Sequence, residues 1–183
     1  MDLYLGLDTS CYTTSVCAVT ADGRIVGDER IILSVSAGGR GLSQSNMVYQ
    51  HTRNMPLLME RLAPRLAGHT IRAIAVTSQP RRREDSYMPA FLAGLGCARS
   101  LAAVLAVPLY TISHQENHLL AVLRSRNTIP DRPFYGLHLS GGTTDLVRAV
   151  PDADGLAITR VGGTSDISAG QFIDRVGVAL GLP

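Results

Sequence analysis

The feature that most constrains the fold is an internal similarity between the two halves of the chain. Residues 4–14, YLGLDTSCYTT, and residues 136–146, GLHLSGGTTDL, each join a short apolar run to a turn of small polar residues. Two further runs with strand character follow in each half. A chain that begins the same unit twice is typical of a fold built from two similar lobes.

The first half predicts three antiparallel strands followed by alternating helices and strands. The dipeptide Asp22-Gly23 predicts a tight hairpin between the second and third strands. Pro56 predicts that the first helix is bent or begins near that residue. The predicted elements are strands at 3–8, 13–20 and 24–33, a loop at 34–45, a helix at 46–66, a strand at 71–78, a loop at 79–87, a helix at 88–107, a strand at 108–112 and a helix from His114.

The second half predicts strands at 134–140, 144–150 and 156–163, then a helix from Ser168 to about Leu180. The whole order indicates an α/β protein with the ribonuclease-H-like βββαβαβα lobe of the actin, Hsp70 and sugar-kinase superfamily. We expect a first lobe at 1–112, a His-bearing helix and connector at 113–132, and an incomplete second lobe at 133–183. In this architecture, turns between strands hold nucleotide phosphates through backbone N–H groups.

Composition excludes several kinds of chemistry. Every basic residue is Arg, so neither a P-loop nor a Schiff-base mechanism is open to these 183 residues. The net charge of +2 favours no class of partner. Three Cys fit neither a zinc ribbon nor a disulfide framework, which predicts a reducing, cytoplasmic location. We expect no membrane association, because the longest apolar stretch, near 101–109, is too short to span a bilayer.

The segment SHQENHLLAV, residues 113–122, carries two His four residues apart. Ser113 and Glu116 form a capping-box pattern, which predicts a helix that begins at His114. His114 and His118 then point the same way and can face one metal ion. A helix N-terminus favours neutral imidazole but disfavours a bare cation, so an anionic third ligand would be needed. The alternative is a pair of polar residues at an exposed helix start.

Three other features have both a structural and a functional interpretation. The run Ser140 to Thr144, SGGTT, suits a plain turn with glycine at positive φ, and the same geometry suits a phosphate site. Asp8 ends a strand, where it can hold a hydrated cation or cap the turn through its side chain. Asp174 is either a helix-surface acid or an acceptor for a ribose hydroxyl.

Four segments together resemble one family. The order and spacing of the segments match those of the TsaD-type tRNA adenosine threonylcarbamoyltransferases, once called O-sialoglycoprotein endopeptidases. The resemblance covers the whole chain, but the family chain is nearly twice as long. We therefore expect an N-terminal portion of such a protein, or a shortened relative. The segments are LGLDTSC (5–11), HQENHLLA (114–121), LSGGTTDLV (139–147) and AGQFIDRVGVALGLP (169–183).

The resemblance implies transfer of a carbamoylthreonine group from its adenylate to the exocyclic nitrogen of a tRNA adenosine. It implies one divalent metal ion, iron or zinc, with His114 and His118 as ligands. It assigns no catalytic residue. The implied partners are tRNA, the family's partner proteins or a second copy of the chain. The residues expected around the adenylate or another ATP-type nucleotide are His138, Leu139, Ser140, Gly141, Gly142 and Asp174, and we add Asp8 as a candidate from its position.

The sequence departs from the family pattern at several places. Tyr12 and Thr13 replace an acidic pair, Thr143 replaces a His, and Gln171 replaces an acidic residue. Residues 78–86, SQPRRREDS, replace a Gly-Pro-Gly loop; the Arg81–Arg83 cluster is either a solvated loop or a tRNA phosphate contact. The family's third metal ligand, an Asp, is expected beyond Pro183, so these residues alone are expected to be inactive. The alternatives are a non-catalytic scaffold of the same family and an actin-like sugar or acetate kinase lobe.

Overall fold

The computed structural model describes residues 1–35, 41–125, 130–140, 142–153 and 155–182. The chain divides into two compact units, Met1–His114 and Gln115–Pro183. Within the described residues there are eight strands and four helices. In chain order they are β1 (Asp2–Asp8), β2 (Thr13–Thr20), β3 (Ile25–Ile32), α1 (Gln44–Leu66), β4 (Thr70–Gln79), α2 (Phe91–Leu105), β5 (Leu109–Ser113), α3 (His114–Ser125), β6 (Phe134–Leu139), β7 (Thr144–Asp152), β8 (Gly155–Gly163) and α4 (Ala169–Ala179).

The first unit is built on a five-stranded sheet of order β3-β2-β1-β4-β5. The first three strands pair antiparallel, while β4 and β5 run parallel to β1 and to each other. The predicted hairpin is present: Gly23 has a φ of 81°, and its N–H donates to the Thr20 carbonyl at 2.9 Å. The parallel strands require crossover connections, which α1 and α2 supply.

The core of the first unit lies on the face of the sheet that α1 and α2 cover. Leu3, Leu5 and Leu7 alternate along β1 and are all buried, as the two-residue period of a strand requires. The other buried residues of this core cluster are Val16, Ala18, Met55, Leu58, Leu62, Ile74, Val76, Ala98 and Ala102.

The observed start of helix α1 excludes one of the two alternatives predicted at Pro56. It begins after Ser43, whose hydroxyl accepts the Asn46 N–H at 3.2 Å, and it continues through Pro56 to Leu66. The predicted helix at 46–66 is therefore confirmed to within two residues at its start, and of the two alternatives at Pro56 the one in which the helix begins there is excluded. Pro56 removes one backbone hydrogen bond, but an unbroken stripe of buried side chains from Met47 to Leu62 holds both halves of the helix to the sheet.

Helix α2 begins at Phe91 rather than at the predicted Met88. Because Pro89 disfavours helical backbone at the residue before it, Met88 stays outside the helix. The Phe91 N–H donates to the Met88 carbonyl at 3.2 Å, which closes a turn that leads into the helix. At its other end the helix stops at Leu105, where Ala106 adopts a left-handed conformation with a φ of 53°.

The second unit contains an antiparallel sheet of order β6-β7-β8. Helix α3 packs on this sheet: a Cβ at Gly136 would lie 2.6 Å from a methyl carbon of Leu119, so a larger residue there would require that side chain to move. The carboxylate of Glu116 accepts the Leu156 N–H at 3.0 Å and ties the helix to β8. Three strands and α4 follow α3 in the described residues, fewer elements than the first unit contains.

The element order agrees with the predicted ribonuclease-H-like lobe followed by a smaller βββα portion. Within the described ranges, no helix is both long enough and apolar enough to cross a membrane.

Candidate functional site

The first residues of the loop that follows β1 are held by hydrogen bonds of the Asp8 and Thr9 side chains. Asp8 is half-buried, and its carboxylate accepts the Ser10 N–H at 2.7 Å, as expected of an aspartate that caps a turn. Thr9 is fully buried. Its hydroxyl donates to the Ala90 carbonyl at 2.9 Å and accepts the Gly94 N–H at 3.1 Å. The loop is thereby fixed against the start of α2.

A second group of contacts holds the far end of this loop. The imidazole of His51, on α1, is fully buried. Its Nε2 lies 3.0 Å from the Cys11 carbonyl oxygen, and its Nδ1 lies 2.8 Å from the hydroxyl of Thr14. Burial lowers the pKa of His51, while the Cys11 carbonyl and the charge of Asp8 raise it by less. The sequence analysis missed His51, because the surrounding helix stretch is polar and no local pattern marks this side chain as buried.

The turn between β6 and β7 is stabilised by Ser140. Its hydroxyl oxygen accepts the N–H groups of Gly142 at 3.2 Å and Thr143 at 2.9 Å. The Ser140 N–H in turn donates to the Thr143 carbonyl at 2.8 Å. These are the amides that we expected to face a phosphate, and here a hydroxyl oxygen occupies that position.

The turn contains two glycines, of which the structure describes Gly142. Gly142 is not among the described glycines with a positive φ, so the interpretation that this turn needs glycine for its backbone conformation gains no support at that position. Instead Gly142 is open: a Cβ there would meet nothing within 4 Å. Gly141 lies outside the described residues.

The N-terminus of α4 is bonded to the same turn. The Ala169 N–H donates to the Thr144 hydroxyl at 2.7 Å, and the Gly170 N–H donates to the Ser140 carbonyl at 3.3 Å. The Ser168 hydroxyl caps the helix by accepting the Gln171 N–H at 3.2 Å. Protein oxygens therefore bind the first three amides of α4, and the turn and the helix start form one connected structure. Asp174 lies further along α4 with its side chain exposed.

The predicted metal ligands lie at the start of α3, which begins at His114 as predicted. His114 is half-buried, and its ring meets that of Phe91 edge to face at a centroid distance of 6.3 Å. His118, one turn later, is exposed. Its ring centroid lies 5.3 Å from that of His138 on β6, with 37° between the ring planes.

The contact between His118 and His138 was not predicted. His138 was expected near the adenylate, yet its ring lies against α3. A signal for this exists in the sequence: Gly136 and His138 are two apart on one strand and share a face, and Gly136 lies beneath Leu119 of the same helix. Leu139 points to the opposite face and is 54% exposed.

Imidazole nitrogens suit iron and zinc, so the two His side chains at the start of α3 fit the expected metals chemically. Within the described ranges no three His, Cys, Asp or Glu side chains come together as a metal-binding group.

In the loop that carries Arg81, Arg82 and Arg83, part of the positive charge is paired with an acidic residue of the same loop. Both guanidinium nitrogens on one side of Arg83 donate to the Asp85 carboxylate, at 3.0 and 2.7 Å. The Arg81 N–H donates to the Ser86 hydroxyl at 2.9 Å. This geometry agrees with a solvated, internally paired loop.

The sequence model of one family, "TsaD: tRNA N6-adenosine threonylcarbamoyltransferase", matches residues 40–183. The chain belongs to the TsaD family. The resemblance of the four segments is thus confirmed.

Several curated TsaD proteins match almost the entire chain. The tRNA N6-adenosine threonylcarbamoyltransferase of Geotalea uraniireducens is 33% identical over 99% of the chain and 51% of its own length. The corresponding protein of Thermotoga neapolitana is 31% identical over 97% of the chain and 52% of its own length. The chain therefore spans about half the length of the curated relatives it matches.

Solved structures confirm the fold class. YeaZ from Pseudomonas aeruginosa matches with a TM-score of 0.54 and 16% identity, over 90% of this chain and 67% of YeaZ. A ROK family protein from Streptococcus pneumoniae, solved with sucrose, matches with a TM-score of 0.52 and 13% identity, over 98% of this chain and 63% of that protein. At these identities the likeness supports the actin, Hsp70 and sugar-kinase-like fold and nothing finer.

Proposed function

We propose that this TsaD-family chain takes part in threonylcarbamoyl transfer to adenosine in tRNA, in the cytoplasm and together with partner proteins. The observation that carries the proposal is the match to curated transferases over nearly the whole chain at 33% identity. In the proposed reaction the exocyclic adenine nitrogen bonds to the carbamoyl carbon. The bond from that carbon to the adenylate oxygen breaks, AMP leaves, and the adenine nitrogen loses a proton.

A nucleotide site at the turn between β6 and β7 is supported by the position of the Ser140 hydroxyl. That oxygen accepts two neighbouring amides, Gly142 and Thr143, as a phosphate oxygen of an adenylate would. In our proposal the phosphate takes the place of the hydroxyl, with Asp174 as acceptor for the ribose. The neighbouring residues His138, Leu139 and Gly141 complete the proposed lining, and Asp8 lies in a similar turn of the first unit.

Substitution of Gly142 tests the nucleotide site without disturbing the fold. A Cβ at this position meets no protein atom within 4 Å, so Gly142→Ala should unfold at the wild-type temperature. A ligand that approaches the backbone closely would meet the new methyl group. We expect weaker ADP binding by calorimetry in Gly142→Ala. Equal affinity in the two proteins would exclude close phosphate approach at this turn.

For the metal we propose His114 and His118 as ligands, and a divalent iron or zinc ion bound there would supply Lewis acidity. Support comes from their spacing of one helical turn at the start of α3. The test is metal content after reconstitution and desalting, measured for the wild type, for each single Ala variant and for the half-buried control His69→Ala, which lies on no part of α3. Loss of metal in both α3 variants, with unchanged thermal unfolding, is the expected result. Equal metal content in all four proteins would remove the assignment.

The activity itself is tested with the chain, carbamoylthreonine adenylate and unmodified tRNA, with and without the family's partner proteins. Mass spectrometry of digested tRNA should show threonylcarbamoyladenosine when all components are present. A stable complex with the partner proteins but no product would instead favour the scaffold alternative. That alternative is supported by Tyr12 and Thr13, which stand where the family has acidic residues, and Tyr12 is 40% exposed beside Cys11.

Contact with tRNA is proposed at the loop that carries Arg81, Arg82 and Arg83. Because Arg83 is paired with Asp85 at 2.7 Å, its net contribution to phosphate binding is reduced. Replacing Asp85 with Asn should release that guanidinium and tighten tRNA binding at low salt, whereas Arg83→Gln should weaken it. If neither variant changes the affinity in a filter-binding titration, the loop does not contact tRNA.

A further inference from the structure

The strongest unexplained feature of the first unit is a buried polar chain that leads from α1 to the loop after β1. It consists of Asn54, Thr14, His51 and the Cys11 carbonyl. The Asn54 amide nitrogen donates to the Thr14 hydroxyl at 3.2 Å, and that hydroxyl lies 2.8 Å from Nδ1 of His51. His51 and Thr14 are both fully buried.

The chemistry of these groups fixes the direction of every hydrogen bond. A carbonyl oxygen can only accept, so the His51 Nε2 that faces Cys11 must carry the proton. A neutral imidazole then has Nδ1 free to accept, and the Thr14 hydroxyl donates to it. The Thr14 oxygen accepts from Asn54 in the same arrangement. With His51 neutral and in the Nε2–H tautomer all three bonds are made; protonation of Nδ1 would keep the bond to Cys11 but reverse the one to Thr14.

The role of this series of hydrogen bonds follows from its last member, the Cys11 carbonyl. The Cys11 carbonyl lies between Ser10, whose N–H is bonded to Asp8, and Tyr12, whose carbonyl accepts the Leu33 N–H at 2.8 Å. Thr9 anchors the other end of the loop to α2. The side chain of Cys11 is exposed, so its packing contributes little to holding the backbone of that residue. His51 provides a hydrogen-bond partner for the carbonyl of that residue.

We infer that His51 is a positioning residue, which holds the loop of residues 8–12 in one conformation through its hydrogen bond to the Cys11 carbonyl. The Cys11 carbonyl fixes the Nε2–H tautomer, and the Thr14 hydroxyl, which accepts from Asn54, matches it by donating to Nδ1. The consequence for ligand binding rests on the proposed nucleotide function, since Asp8 of this loop is one of the proposed contacts. The effect on loop order does not depend on it.

Two substitutions at His51 distinguish the effect of the hydrogen bond at Nε2 from that of the hydrogen bond at Nδ1. The amide of Gln reaches the position of Nε2, so His51→Gln keeps a donor for the Cys11 carbonyl but loses the contact with Thr14. The shorter amide of Asn reaches the position of Nδ1, so His51→Asn keeps the contact with Thr14 but loses the donor. A role limited to filling the core would make the two variants equivalent in the loop.

The experiment measures hydrogen–deuterium exchange at the Ser10 and Leu33 amides, with the Ala98 amide of α2 as internal reference. We expect exchange at Ser10 and Leu33 to rise by about tenfold in His51→Asn, the usual consequence of one lost hydrogen bond, and by much less in His51→Gln. The ratio to Ala98 corrects for any global loss of stability. Equal loop exchange in the two variants, or a rise confined to His51→Gln, would overturn the inference.

ADP titration of the wild type and the two His51 variants distinguishes failure of the proposed nucleotide function from failure of the inferred role of His51. If the wild type binds ADP, His51→Asn should weaken binding and His51→Gln should retain most of it; equal affinities in all three proteins would contradict the inferred effect on ligand binding. If the wild type binds no ADP, the proposed nucleotide function fails. The exchange rates at Ser10 and Leu33 still decide whether His51 positions the loop.

Discussion

The backbone N–H of Gly94 donates to the hydroxyl of Thr9 at 3.1 Å, in a fully buried contact that joins α2 to the loop after β1. The approach is so close that a Cβ on Gly94 would lie 2.8 Å from the Thr9 oxygen. Thr9 cannot retreat, because its hydroxyl is also bonded to the Ala90 carbonyl. Glycine at position 94 is therefore required by packing against Thr9.

Helix α2 contains a matched control for this interpretation. Gly96 lies two residues further on the same helix, and a Cβ there would meet nothing within 4 Å. We expect Gly94→Ala to lower the free energy of unfolding by about 1–3 kcal/mol through overpacking. Gly96→Ala should raise it by up to about 1 kcal/mol, because alanine is the better helix former. Urea unfolding checks both, and a shift of the same sign in the two variants would contradict the packing argument.

In the second unit, the buried carboxylate of Glu116 is predicted to contribute to stability. Its carboxylate is 1% exposed and accepts the Leu156 N–H at 3.0 Å. Glu116→Ala leaves that buried N–H without its acceptor and should destabilise the chain by about 1–3 kcal/mol. Glu116→Gln keeps an acceptor oxygen and should lose less. Exchange of the Leu156 amide reports the effect locally, and protection that is unchanged in Glu116→Ala would show that this bond contributes little.

Periodic patterns made the fold predictable. Alternating Leu3, Leu5 and Leu7 mark a strand with one buried face, and Asp22-Gly23 marks the hairpin. These signals are local, so the sequence carries them without knowledge of the rest of the chain. The one error in a helix start, at Met88, came from Pro89, which disfavours helical backbone at the residue before it.

The candidate site was less predictable because its contacts join residues far apart in the chain. The amides near Gly142 were expected to be open to a ligand, yet the Ser140 hydroxyl occupies them, a choice between protein and ligand acceptors that residue types alone do not decide. The contact of His118 with His138 depends on how α3 lies over β6. His51 was overlooked because a His within a polar helix stretch looks like a surface residue until its burial is known.

Burial of His51 gives a pH dependence with a definite sign. Its pKa is lowered in the folded chain, mainly by burial, against the opposing effects of the Cys11 carbonyl and Asp8. The unfolded chain therefore binds more protons, and stability must fall as pH decreases below about 6.5, the ordinary His value, until the folded pKa is passed. Urea unfolding across this range should show the slope in the wild type. In His51→Gln the slope should be smaller, and an equal slope would assign the effect to other groups.

Cys11 and Cys97 should differ in reactivity because their environments differ. Cys11 is exposed, whereas Cys97 lies half-buried on α2 and burial raises the pKa of its thiol, which lowers the fraction of reactive thiolate. We expect iodoacetamide to alkylate Cys11 well before Cys97 in the folded chain, as measured by peptide mass spectrometry over time. In Cys11→Ser the fast phase should disappear while Cys97 keeps its slow rate, and in urea Cys97 should react as fast as Cys11. If Cys97 reacts as fast as Cys11 in the folded chain, burial on α2 does not protect it.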